Sequence, residues 1–126
     1  MRQTYGRRER LKSRKLIEAL FRSGAWLAED PVKLVYLFTP LNAEGPAQAG
    51  VSVSKKVLKR AVDRNRVKRQ MREAYRMNKT GLYEHLIKEE SQCAMMFIYK
   101  GAADVDSSLI EKKICKLLQR LLKEHG

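Results

Sequence analysis

Between residues 54 and 76 the chain sets ten basic residues against two acids: Lys55, Lys56, Lys59, Arg60, Arg64, Arg66, Lys68, Arg69, Arg72 and Arg76 meet only Asp63 and Glu73. Residues 57–78 contain no Gly or Pro and many strong helix formers, so this stretch predicts the longest helix of the fold. Solvated helices interleave opposite charges four residues apart, whereas Arg60, Arg64, Lys68, Arg72 and Arg76 repeat like charge at that spacing. At roughly 100° per residue, Arg64 and Lys68 share a sector with Val57, Ala61, Met71 and Tyr75, which a plain core-facing stripe would not show. The local balance of +8 is more than half of the net +13, and an external polyanion has to compensate it. Read singly, each of these residues is a solvated or snorkelling surface cation. Read as a set rich in arginine, whose planar fork grips phosphate bidentately, they point to phosphate binding. Asn65, between two arginines, adds a donor and an acceptor suited to a sugar hydroxyl or a base edge.

A chain of 126 residues with 44% hydrophobic content sustains one domain, 1–126. Residues 1–12 carry Arg2, Arg7, Arg8, Arg10 and Lys12 against Glu9 and read as a mobile basic arm. Ser13 caps a helix with Leu16, Ile17, Leu20 and Phe21 on one face, stopped by Gly24. Residues 32–39 and 51–54 read as strands separated by a Pro- and Gly-marked loop, predicted to pair as an antiparallel hairpin. Residues 82–91 fit a short helix or an irregular connector. The apolar run 93–99 suits a central strand covered on both faces. Ser108 and Glu111 have capping-box spacing ahead of the stripe Ile110, Ile114, Leu117, Leu118 and Leu121. The order is helix, two strands, long helix, strand, helix: an α+β chain with a small sheet covered by helices on at least one face. Cys93 and Cys115 read as small buried hydrophobes, not as a disulfide or a zinc site. No apolar run approaches the ~20 residues of a spanning helix, and no signal-peptide pattern follows the Arg-rich start, so a soluble cytoplasmic protein is expected.

The segment GVSVSKKVLKRAVDRNRVKRQMREAYR, residues 50–76, resembles the signature of the bacterial ribonuclease P protein component family, in which a strand ending in SVSKK leads into a helix bearing RNR. RLKSRKLIEALFRSG at 10–24 is similar to that family's first helix and its closing glycine, and LVYLF at 34–38 occupies the place of a strand. Together the matches span nearly the whole chain. The resemblance implies a compact α/β sandwich whose long helix joins parallel neighbouring strands by a left-handed crossover, where chain physics alone favours the right-handed one. It implies that Arg64, Asn65 and Arg66, with Lys68, Arg69 and Arg72, contact a catalytic RNA. It also implies a cleft between sheet and flanking helices that takes the single-stranded 5′ leader of precursor tRNA on aromatic side chains. Phe21 and Tyr36 match aromatic positions of that cleft, and Ile17 stands where many members carry Phe. From the residues alone, either aromatic reads equally well as core. YKGAAD at 99–104 departs from an Arg-containing pattern, Lys100 keeping the charge without the fork.

The activity so implied is Mg²⁺-assisted hydrolysis of one phosphodiester bond in precursor tRNA, with the ions held mainly by the RNA subunit and no catalytic residue on the protein. Catalytic RNA and precursor tRNA are then the partners, the membrane is not, and the free protein is a monomer. The residues agree with that division of labour: His85 and His125 stand alone, and no metal-ligand spacing, phosphate-cradling Gly loop or nucleophile with an evident base occurs. Alternatives are a ribosomal or assembly protein binding structured RNA, a DNA-binding module and a self-sufficient nuclease. The DNA reading lacks the short helix and turn that precede a recognition helix.

Overall fold

The computed structural model describes residues 5–41 and 45–125. After a 3-10 turn at Arg7–Glu9 come α1 (Arg14–Ser23), β1 (Ala25–Glu29), β2 (Val32–Phe38), β3 (Ala47–Ser52), α2 (Ala61–Asn78), α3 (Thr80–Lys88), β4 (Cys93–Tyr99) and α4 (Ser107–His125). The fold is α+β. The sheet order is β1-β2-β4-β3, with β1–β2 and β2–β4 antiparallel and β3–β4 parallel. Residues 93–99 do lie between two neighbours, buried on both sides.

The expected hairpin of the strands now labelled β2 and β3 does not form. β2 has one edge taken by β1 through the tight turn at Asp30 and Pro31, and the most apolar strand, β4, takes the other. β3 pairs with the far side of β4, and a parallel pair needs a crossover, which α2 and α3 supply. β1 was not foreseen, because an edge strand with Leu27 as its only buried residue carries little alternation. β3 begins four residues earlier than the sequence suggested, at Ala47.

Side chains alternate across the sheet and so feed two cores. On one face Val32, Leu34, Tyr36, Met95 and Phe97 pack with Val67, Met71 and Tyr75 of α2 and with the α4 stripe, Ile110 to Leu121. On the other, Val35, Ala94 and Met96 meet Leu20, Leu16 and Ile17 of α1. A single ten-residue helix cannot cover that second face, so part of it stays open.

Local chemistry sets the element ends. Ser13 Oγ accepts from Leu16 N at 3.3 Å, capping α1 as expected. Gly24 closes it with ordinary negative φ. Its need is space, since a Cβ there would lie 2.4 Å from the Leu20 carbonyl. α2 starts at Ala61, not 57: Ser54 accepts from Val57 N and Leu58 N, making a turn over the intervening lysines. At α4 the cap is Asp106, whose Oδ1 accepts from Ser108 N at 3.0 Å, in place of the Ser108–Glu111 box. Cys93 is buried, while Cys115 is only partly so, a correction to its reading as core.

The arm over 1–12 is not loose in its described part. Leu11 is buried and donates from N to the Ala49 carbonyl at 3.0 Å, and Arg10 forms a bridge to Ala49 beside β3. Residues 1–4 of that arm lie outside the described residues.

Candidate nucleic-acid interface

On α2 the stripe Val67, Met71, Ala74 and Tyr75 is buried, and the cations flank it. Lys55, Lys56, Lys59, Arg60, Arg69 and Arg72 are exposed, as is Asn65. Arg60 leaves 76% of its side chain open. Arg64 and Lys68 are half-buried at the margin of the stripe, consistent with their shared sector, but Ala61 is exposed and outside it.

The two arginines of RNR are tied to the protein's own backbone. Arg64 donates to the carbonyls of Leu58 at 2.9 Å and Lys59 at 2.8 Å, holding the turn that presents the lysines. Arg66 donates to the Ala103 carbonyl in the β4–α4 loop and lies 3.6 Å from Asp63. Arg76 pairs with Glu73, which lowers the Glu73 carboxyl below its ordinary value and raises the Arg76 guanidinium. So Arg64, Arg66 and Arg76 combine local structure with charge, and the exposed members offer the less encumbered contacts.

The open part of the second sheet face forms a cleft of about 430 Å³ between α1, β3 and the flank of α2. Ile17, Gly50 and Met96 line its floor and wall, and Arg10, Lys12 and Arg72 stand along it. Gly50 keeps the floor low, since an added Cβ would come 3.1 Å from Met96. Residues Gly50, Met96, Val35 and Trp26 are directly opposite one another on β3, β4, β2 and β1, a row across the sheet roughly 14 Å long at the usual strand spacing. At its β1 end, Trp26 is 48% exposed and Phe21 43% exposed, their rings 5.8 Å apart.

Of the expected cleft residues, Ile17 and Phe21 therefore lie on this side, and Tyr36 does not. Tyr36 is 7% exposed, packs edge-on against Phe38 at 5.7 Å and points into the α4 core. Its neighbour Val35 faces α1, because a one-residue step along a strand reverses the face. Trp26 is the residue that reading the sequence missed. It is the chain's single tryptophan and follows the glycine that stops α1, a signal that was present. Lys100 is exposed just beyond β4, and His85 is half-buried on α3. Among the described residues, no group of three or more His, Cys, Asp or Glu side chains could hold a metal ion, and no helix is long and apolar enough to cross a membrane.

The model of the ribonuclease P family matches residues 5–122. The chain belongs to that family. Among its relatives, the ribonuclease P protein component of Porphyromonas gingivalis is 34% identical over 113 residues, covering 90% of this chain and 82% of the relative. That of Chlorobaculum tepidum is 34% identical over 125 residues, covering 92% and 81%. Two solved family structures share the fold: the Staphylococcus aureus RNase P protein superposes with a TM-score of 0.71 at 21% identity, over 90% of this chain and 94% of that one. The Thermotoga maritima protein gives 0.68 at 23% identity, over 89% and 96%. Family membership places the chain in tRNA processing, with a bacterial ribonucleoprotein.

Proposed function

We propose that the exposed cations of α2 and its preceding turn lie against the catalytic RNA of ribonuclease P, and that the cleft beside α1 takes the 5′ leader of precursor tRNA. One arrangement supports both halves together: Arg72 of α2 lines the cleft with Arg10 and Lys12, and the row that crosses the sheet from Gly50 and Met96 reaches Trp26, whose ring lies open beside Phe21. Phosphates would follow Arg72, Arg10 and Lys12, and bases would stack on the rings, the arrangement expected for single-stranded nucleic acid. The floor between them is aliphatic at Ile17 and Met96, which gives packing without sequence readout.

The reaction is Mg²⁺-dependent removal of the leader to give the mature 5′ end. Among the described residues no cluster of carboxylates and histidines fits a metal ion; we assign the ions to the RNA and route no step through the protein. Its own share is electrostatic: it lowers repulsion between RNA strands and holds the leader in place. Reconstitution with the RNA subunit of the same organism tests this. Precursor tRNA should be cleaved at low Mg²⁺ only when the protein is present. Equal cleavage without it, or cleavage by protein alone, contradicts the proposal.

A further inference from the structure

Lys79 is 2% exposed and is the one buried charged residue among the described ones. An ammonium group in such a place requires a partner. Its partner is Glu9, 70 positions away in the 3-10 turn, with Nζ bonded to Oε2. The Tyr83 hydroxyl donates to the same oxygen at 2.6 Å, and Glu9 Oε1 accepts from Gly6 N at 3.2 Å. Tyr83 in turn accepts from the Tyr75 hydroxyl at 2.8 Å, and its ring lies 4.9 Å from Lys79 Nζ. Tyr75 meets the Tyr5 ring edge-on at 5.7 Å, and the Tyr5 hydroxyl donates to the Ala49 carbonyl that also receives Leu11 N. Burial raises the Glu9 carboxyl, but Lys79, Tyr83 and the Gly6 amide outweigh it and leave the group below its ordinary value.

The charge pattern makes this arrangement unexpected. Arg7, Arg8, Arg10 and Lys12 should be repelled by the α2 cations, and Glu9 is the sole acid in residues 1–12. That one carboxylate is spent on the buried lysine. The segment it anchors supplies Arg10, Leu11 and Lys12 to the cleft.

We propose that the Glu9–Lys79 pair, braced by Tyr83, is a positioning device for leader binding: it clamps residues 5–12 to α2 and α3 so that Arg10 and Lys12 stand at the cleft. Glu9, Lys79 and Tyr83 act through those residues and touch no RNA themselves. The inference rests on the cleft being the leader site.

The test uses the holoenzyme carrying wild-type protein, Lys79→Met, Tyr83→Phe, or Glu9→Gln combined with Lys79→Met, which leaves no buried charge unpaired. Two quantities are read: the ratio of Kd values for precursor tRNA with and without a leader, and hydrogen exchange at the Leu11 amide in the protein. Lys79→Met and the double variant should reduce the leader-dependent gain about fivefold, equivalent to about 1 kcal/mol. Leu11 exchange should quicken, and leaderless affinity should hold. Tyr83→Phe should show a smaller change in the same direction. Quickened exchange with an unchanged leader gain overturns the positioning role, and slow exchange in the double variant overturns the clamp. Wild-type protein with no leader gain would instead refute the cleft assignment, and the positioning role with it. If Lys79→Met does not fold, the double variant and Tyr83→Phe decide.

Discussion

Trp26 gives the core little and leaves a large ring open beside Phe21, whereas Tyr36 is buried in the α4 core, so variants at the two separate the proposed function from stability. Trp26→Ala should leave thermal stability within about 1 kcal/mol of wild type. It should also weaken binding of leader-bearing precursor tRNA about fivefold more than binding of mature tRNA, the scale of one base–aromatic stack. Tyr36→Ala should cost about 3 kcal/mol in a denaturant melt, as truncation of a buried aromatic does, and show no leader preference once the folded fraction is accounted for. A second contrast lies on the charged side. Arg60→Ala should lower affinity for the catalytic RNA and reduce the salt slope by about 1, with the melt unchanged. Arg64→Ala should also lower the midpoint of the melt, because the Leu58 and Lys59 carbonyls lose their donor. At this scale the sequence showed which cations α2 and its preceding turn carry, six of them exposed in the fold. It could not show that Arg64 and Arg66 hold backbone carbonyls, since those partners are set by folding and not by side-chain pattern. The two readings of Tyr36, cleft or core, stayed open for the same reason: adjacent aromatic and apolar residues on β2 left its face undetermined by one step.

Among the elements, those with strong periodic signals were legible: α1 with its Ser13 cap, the body of α2, β4 as a doubly covered strand, and the α4 stripe. β1 and the strand pairing were not. An edge strand contributes one buried side chain, and which strands become neighbours depends on which edge is still free after the tight β1–β2 turn has formed. The docked segment 5–12 escaped notice because its anchor is a single acid whose partner lies in the α2–α3 junction. That anchor gives the fold a pH dependence. The Glu9 carboxyl is held below its ordinary value in the folded state, so its contribution is present above the unfolded carboxylate pKa and is lost as pH falls through the folded value. Thermal melts should therefore show a midpoint that drops as pH falls below the ordinary carboxylate range near 4. The double variant with Glu9→Gln and Lys79→Met should flatten that drop. An identical pH profile in wild type and double variant would remove Glu9 from the explanation.

Over the whole molecule, the apolar matter is divided unequally: three helices bury one sheet face, one helix half-covers the other, and Arg10, Lys12 and Arg72 stand along the part left open. The net charge of +13 announced a polyanionic partner before any fold was known. The shape adds the place we propose for single-stranded nucleic acid, a cleft left because α1 is too short to close the sheet. The central claim is that a folded RNA lies along α2, and the salt dependence of its binding tests this most directly. The Kd of the wild-type protein for the catalytic RNA would be measured from low to moderate salt. With about six exposed cations in contact, log K should fall linearly with log salt at a slope near −4 to −5. A slope near zero, or binding abolished by none of the salt range, would contradict the account.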